Sequence, residues 1–149
     1  MGFQPNRHTR YLGVIVRDRH VLLIKQRLHG TGHSFWFFPG GGMEPGETEE
    51  KCVQREMKEE TNLDVKVVGL LLDEPATGIY QRVRTYLCEP VGGEASPGYD
   101  PEYGPAEQGV LEVRWFDLRT EADWEPAAAN DPITYRYLQL IRAKLGHSG

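Results

Sequence analysis

The chain has little cysteine, no basic excess and no long apolar run, and each absence excludes a class of protein. Its two cysteines, Cys52 and Cys88, are too few for a disulfide framework. Because no membrane-spanning run or signal-peptide pattern is present, we expect a cytoplasmic protein with no membrane partner. A net charge of −5 without an evident basic face argues against a nucleic-acid polymer as partner.

Two familiar kinds of catalytic site are also missing from the sequence. His29 and His33 share one loop, but no cysteine or further histidine lies near them at the spacing of metal ligands. Exposed loop histidines are therefore the simpler interpretation of this pair. No serine or cysteine has triad-like surroundings, so a nucleophilic side chain is not predicted.

What the sequence does have is a concentration of carboxylates between Gly41 and Leu63. This stretch holds seven acidic residues against three basic ones. Like charges at this density repel one another in water. The excess predicts a bound cation, and Mg²⁺ or Mn²⁺ is favoured because both take oxygen ligands.

Spacing within the stretch predicts a helix with two different faces. Glu56, Glu59 and Glu60 stand at i, i+3 and i+4, which puts three carboxylates on one face. Thr48 is a suitable N-cap. An apolar stripe on another face is formed by Cys52, Val53 and Met57. A solvated glutamate-rich helix is the alternative interpretation of such a run.

Residues 41–63 resemble the Nudix box, a pattern with glycine, glutamate, Arg-Glu and Glu-Glu at fixed spacing. The positions that match in register are Gly41, Glu47, Arg55, Glu56, Met57, Glu59, Glu60 and Leu63. Asn62 departs from the pattern, because the family has glycine there. That glycine follows the helix C-terminus, where a left-handed residue is needed, and asparagine is the next-best residue for it.

This resemblance implies a set of roles around one metal site. The family's pattern makes the Gly41 carbonyl a metal ligand and pairs Glu47 with Arg55 to brace the loop against the helix. We expect the helix carboxylates to be the other ligands of Mg²⁺ or Mn²⁺, and either Glu59 or Glu60 to act as the catalytic base. A further glutamate is often drawn from a later part of the chain, where Glu107 is the first candidate, followed by Glu102 and Glu112.

The rest of the chain predicts one α/β domain over residues 1–149, with a mixed β-sheet between helices. The Nudix fold implied by the resemblance is the same α/β/α sandwich. Residues 89–109 have no periodicity and are predicted to be a flexible loop. Asp131 and Pro132 open a C-terminal helix over 131–145 that ends at Gly146. Strands are predicted over residues 11–16, 20–27, 35–38, 65–73, 79–88 and 110–118.

Three residues outside the box are candidates for substrate binding. Arg27 ends a strand that leads into a glycine-containing loop, and its guanidinium could bind phosphate. Tyr80 could stack on a nucleobase and Arg82 could reach a phosphate. For each residue taken singly, an exposed strand position is the plainer interpretation.

Clustered carboxylates that bind divalent metal favour one reaction type. The metal would grip a diphosphate, and water activated by the metal or by a carboxylate would attack phosphorus. We therefore predict a hydrolase that cleaves a phosphoanhydride bond of a nucleoside diphosphate linked to another moiety, such as ADP-ribose, a nucleotide sugar or a dinucleoside polyphosphate. The alternatives are a nucleoside triphosphate pyrophosphohydrolase and a non-catalytic nucleotide-binding module. Since dimers are frequent among Nudix enzymes, a homodimer is also an expectation.

Overall fold

The computed structural model describes residues 8–28, 30–76, 80–101, 104, 108–129 and 131–146. A one-turn 3₁₀ helix spans Glu121–Trp124. The strands and helices are β1 (Thr9–Arg17), β2 (His20–Leu28), β3 (His33–Phe37), β4 (Gly40–Gly41), α1 (Glu49–Thr61), β5 (Asp64–Pro75), β6 (Arg82–Gly92), β7 (Val110–Asp117), α2 (Glu125–Ala128) and α3 (Pro132–Leu145).

The described strands form a mixed sheet in the order β3-β2-β1-β6-β5. β1 and β6 run parallel, from the pair Thr9 and Arg82 to the pair Ile15 and Cys88. β7 pairs with β2, and the two-residue β4 pairs with β1. The short β4 matters for the site, because it fixes Gly40 and Gly41 against the sheet just before the helix of the box.

Side chains alternate along β1 and so fill a core on each face of the sheet. On one face, Ile15 packs with the apolar stripe of α1. On the other face, Leu12 and Val14 pack with Leu138 of α3 and with Trp124. The α/β/α sandwich with a mixed sheet is therefore confirmed.

Both long helices have the ends that their sequences predict. Thr48 caps α1 by accepting a hydrogen bond from the Lys51 N–H at 3.2 Å. Asn62 follows α1 with φ of 63°, and its N–H bonds to the Lys58 carbonyl. The left-handed position that favours glycine is thus occupied by asparagine. At α3, Asp131 supplies the cap and the chain leaves the helix in a left-handed conformation.

Some predicted boundaries differ from the structure. Residues 89–92 belong to β6 rather than to a loop, because they pair with residues 64–66 of β5. The short helices between residues 121 and 128 were not predicted, and burial of Trp124 and Ala127 holds them on the sheet. Among the described helices, none is long and apolar enough to cross a membrane.

Candidate active site

A cavity of about 630 Å³ lies beside α1, where the box faces the end of β2 and the segment before β7. Its acidic lining consists of Glu44, Glu56, Glu59, Glu60 and Asp100. A volume of this size is within the range that holds a small organic ligand. The three helix carboxylates predicted to share one face therefore open into a common space.

Arg55 ties the loop before α1 to the helix. Its Nε donates to Glu47 Oε2 at 2.6 Å, and its Nη2 donates to Glu47 Oε1 at 3.0 Å. The same Nη2 donates to the Gly42 carbonyl at 3.0 Å. The hydrogen bonds from Arg55 lower the pKa of Glu47. This bidentate pair fixes the loop that carries the glycines of the box.

The third nitrogen of Arg55 faces the cavity carboxylates. Nη1 donates to Glu56 Oε1 at 3.0 Å and lies 3.3 Å from both oxygens of Glu59. Nη1 also lies 3.7 Å from Glu44 Oε1, so one guanidinium pairs with four glutamates, three of which line the cavity. In the absence of a bound cation, this contact offsets part of their mutual repulsion.

Glu60 is the carboxylate with the largest resolved pKa shift in the cavity. Its Oε1 accepts a hydrogen bond from the Gly40 N–H at 2.7 Å. Burial raises the pKa of Glu60 to about 8, and the neighbouring charge of Glu56 adds to the effect. Burial also raises the pKa of Glu56, and Glu59 adds to that rise. Burial, with neighbouring negative charge, thus favours the protonated forms of Glu60 and Glu56.

The backbone of Gly41 passes close to the Glu56 carboxylate. A Cβ at this position would lie 2.5 Å from Glu56 Oε1, so only glycine fits here without displacing the carboxylate. Gly41 is buried and held by its pairing with Tyr11 in β1. Backbone carbonyls and carboxylates are both oxygen donors, of the type that Mg²⁺ or Mn²⁺ takes as ligands.

The described side chains are not preset in a coordination geometry. Within residues 8–146, less the undescribed positions, no group of three His, Cys, Asp or Glu side chains is arranged to hold a metal ion. Glu56 and Glu59 are turned toward Arg55, and Glu60 is turned toward the Gly40 N–H. The donor chemistry fits a hard divalent cation, and binding would require these carboxylates to exchange their present partners.

The candidates from outside the box have different positions. Arg27 lines the cavity, and its Nε donates to the Gln108 carbonyl at 3.2 Å. The described lining does not include Tyr80, whose hydroxyl lies near Gly42, or Arg82, which forms an ion pair with Asp73 of β5.

None of the three later glutamates is described at the cavity as an additional metal ligand. Glu107, the first candidate for an additional ligand, and Glu102 lie outside the described residues. Glu112 is an exposed residue of β7, in the position paired with Lys25.

Several residues of the site have no clear signal in the sequence. Gln26, Tyr99 and Gln108 line the cavity together with the box. Arg10 donates to the Gly40 carbonyl at 3.3 Å and stands near Glu56 and Glu60. Their contributions depend on the pairing of distant strands, which a local pattern does not reveal.

Comparison with known proteins agrees with this architecture. The family model described as NUDIX domain matches residues 7–138. The chain belongs to the Nudix hydrolase family. A solved Nudix hydrolase from Nitrosomonas europaea has the same fold, with a TM-score of 0.69 over 94% of this chain and 90% of that chain, at 22% identity.

Curated relatives of this Nudix chain have several named activities. An ADP-ribose pyrophosphatase of Methanocaldococcus jannaschii is 35% identical over 71% of this chain and 59% of its own length. An RNA pyrophosphohydrolase of Erythrobacter litoralis is 31% identical over 85% of this chain and 71% of its own length. The NAD-capped RNA hydrolase NudC of Vibrio atlanticus is 30% identical over 73% of this chain. The chain spans only 37% of that relative.

Proposed function

We propose that this Nudix chain hydrolyses a phosphoanhydride bond of a nucleoside diphosphate linked to another moiety, such as ADP-ribose, a nucleotide sugar or a dinucleoside polyphosphate. The observation that supports the proposal is one cavity of nucleotide size that contains Glu56, Glu59 and Glu60 beside the backbone of Gly41. The relative named ADP-ribose pyrophosphatase acts on a compound of this class.

We assign the Gly41 carbonyl, Glu56, Glu59 and Glu60 to the binding of Mg²⁺ or Mn²⁺. When bound, such an ion neutralises the charge of a diphosphate and makes its phosphorus more electrophilic. Metal ligation by carboxylates requires their ionised forms, so the raised pKa values of Glu56 and Glu60 oppose metal binding at acidic pH.

The chain's own residues supply proton transfer and positioning. Glu60 and Glu59 are the candidates to accept the proton of the attacking water. Glu60 is preferred, because the Gly40 N–H holds its carboxylate in a fixed position in the cavity. Arg55 and Glu47 hold the loop that presents Gly41. Arg27, the cation of the described lining, is placed to contact a phosphate.

A release assay tests this proposal. The protein would be incubated with Mg²⁺ or Mn²⁺ and with ADP-ribose, nucleotide sugars, dinucleoside polyphosphates, NADH and nucleoside triphosphates, and the products would be identified. We expect metal-dependent cleavage of one diphosphate-linked class, and loss of turnover in a folded Glu60→Gln variant. Near-normal turnover in that variant would remove the role assigned to Glu60, and cleavage of nothing in the panel would contradict the proposed activity.

A second candidate activity is hydrolysis of a triphosphate to release pyrophosphate. The relative named RNA pyrophosphohydrolase favours it, because that relative aligns over 85% of this chain. Adding a 5′-triphosphorylated RNA oligonucleotide to the panel separates the two candidates. Release of pyrophosphate from triphosphates alone, with no cleavage of diphosphate-linked compounds, would establish the second candidate.

A further inference from the structure

Part of the cavity lining comes from outside the acidic stretch and has no role in the proposed bond cleavage. Gln26 lies on β2, Tyr99 follows β6, and Gln108 precedes β7. None of these residues carries a charge. A nucleotide has an uncharged end, its base, and uncharged polar or aromatic side chains are suited to bind it.

Gln26 has a buried hydrogen-bond donor without an acceptor. Its Nε2 has less than 1 Å² of exposed surface, and no described residue accepts a hydrogen bond from it. Gln26 alternates along β2 with Leu22, which packs in the core on the α1 face, so both side chains lie on that face. Native proteins rarely leave a buried donor unpaired, because its desolvation is costly. Because Gln26 lines the cavity, a turn of its side chain would bring Nε2 to a ligand atom there, which would satisfy the donor.

Tyr99 is an exposed ring on a fixed backbone. Tyr99 is 61% exposed, so its side chain is accessible to a ligand. Yet the Gly98 N–H donates to the Glu60 carbonyl at 3.0 Å, and a Cβ at Gly98 would collide with the Glu59 carbonyl oxygen. On the other side, the Asp100 N–H donates to Gln108 Oε1 at 2.6 Å. Both neighbours of Tyr99 are therefore anchored.

Gln108 joins these parts of the lining. Its side chain also donates to the Asp100 carbonyl at 2.9 Å, and its own carbonyl accepts from Arg27. It is buried, with 8% of its surface exposed. Gln108 therefore positions the segment that carries Tyr99 relative to the cation of the cavity.

We propose that Tyr99 and Gln26 bind the base of the nucleotide: the Tyr99 ring stacks on the base, and Gln26 Nε2 donates a hydrogen bond to one of its acceptor atoms. Arg27 supplies the positive charge for phosphate, which leaves the neutral amide and the phenol for the base. This inference rests on the proposed function, since it names the part of the substrate that this half of the cavity takes.

Binding, measured apart from turnover, tests the stacking role of Tyr99. Isothermal titration calorimetry would compare AMP, GMP, CMP and UMP with ribose 5-phosphate, which lacks a base. We expect the wild type to bind at least one nucleotide about tenfold or more tightly than ribose 5-phosphate. Tyr99→Ala should lose most of that preference and leave the affinity for ribose 5-phosphate unchanged, and Tyr99→Phe should keep it.

The Gln26→Leu variant tests the hydrogen bond from the Gln26 amide to the base. Removing an unpaired buried donor should leave the melting temperature of the free protein unchanged or higher, while the affinity for the preferred nucleotide falls about fivefold or more. Gln139→Leu is the matched control, because Gln139 is an exposed glutamine of α3 that donates to the Tyr135 hydroxyl. It should leave nucleotide affinity unchanged. A Gln26→Leu protein with lower stability and normal affinity would overturn the role of the amide.

The outcomes separate this inference from the proposed hydrolysis. Equal wild-type affinity for every nucleotide and for ribose 5-phosphate would overturn it, as would a Tyr99→Ala protein that keeps its preference. Preference that depends on Tyr99 in a protein that cleaves no substrate would support base binding and contradict hydrolysis. A Tyr99→Ala protein that cleaves substrate normally and keeps its base preference would support hydrolysis and contradict base binding.

Discussion

Arg55 contributes more contacts to the site than any single carboxylate described in it. Its bidentate pair with Glu47 and its bond to the Gly42 carbonyl hold the glycine loop, while Nη1 faces Glu56 and Glu59. The side chain is 21% exposed, so solvent screens these bonds only in part. Lysine keeps the charge but cannot reproduce the planar fork.

Arg55→Lys should therefore destabilise the protein and weaken the site together. We expect a loss of roughly 1.5–3 kcal/mol in the free energy of unfolding, the range for hydrogen bonds to charged groups. Urea denaturation measures it. Arg119→Lys is the control, because Arg119 makes a similar two-pronged contact with Asp117 on the exposed surface. Equal losses in the two variants would contradict the special position of Arg55.

The raised pKa of Glu60 predicts that the metal-free protein loses stability as pH rises. That pKa is raised from 4.5 to about 8, so the protonated form stabilises the folded state. That contribution is fully present below pH 4.5 and is lost as pH rises through about 8. Glu60→Gln removes the titration and should be more stable than the wild type at pH 8 in EDTA, with a smaller difference at pH 5.

Unfolding by urea at the two pH values measures this effect. Glu50→Gln serves as the control, since Glu50 is an exposed residue of the same helix. It should follow the wild type at both pH values. A Glu60→Gln protein that changes stability with pH as the wild type does would show that Glu60 is not held protonated.

At the scale of elements, Asn62 has two functions at the C-terminus of α1. Asn62 ends the helix in a left-handed conformation, and its Nδ2 donates to Ser96 Oγ at 2.8 Å. The Ser96 N–H in turn donates to the Thr61 carbonyl. The segment after β6 is thereby fastened to the helix beside the cavity carboxylates.

Substitution of Asn62 separates these functions. Asn62→Gly keeps the left-handed position and loses the bond to Ser96, whereas Asn62→Ala loses both. We expect the free energy of unfolding of the alanine variant to be about 1 kcal/mol lower than that of the glycine variant. Both should loosen residues 96–100, which hydrogen exchange measures. Equal stability of the two variants would contradict the strain argument.

Features of the chain that depend on neighbours in sequence could be predicted. Spacing gave the faces of α1, and Thr48 and Asp131 marked the starts of the two long helices because caps act over three residues. The fit of Glu56, Glu59 and Glu60 to one cavity follows from the same spacing. These are local interactions, which leave a local pattern.

Features set by distant contacts could not be predicted in this way. β4 exists because Gly40 and Gly41 meet β1, thirty residues earlier. Tyr99 reaches the cavity because Gly98 docks on α1, and the sequence around it is without periodicity. The position of Arg82 away from the cavity likewise depends on Asp73 in the adjacent strand.

At the scale of the whole molecule, metal binding should be coupled to stability. A ligand that binds only the folded state adds about 2.7 kcal/mol at a hundredfold excess over its dissociation constant. We expect Mn²⁺ added to EDTA-treated protein to raise the melting temperature, as followed by calorimetry. Glu56→Gln should reduce the increase, and Glu50→Gln should not. An equal increase in both variants would place the metal elsewhere.

The parallel pairing of β1 with β6 bears on how the chain is made on the ribosome. Thr9 can meet Arg82 only after every residue between them has been synthesised, and such distant pairings close slowly. The residues that complete the cavity, 98–101 and 108–110, follow later still. A nascent chain stalled before Arg82 thus carries the whole acidic stretch but lacks these lining residues. We therefore expect nucleotide or metal to stabilise only nascent chains that extend past Val110.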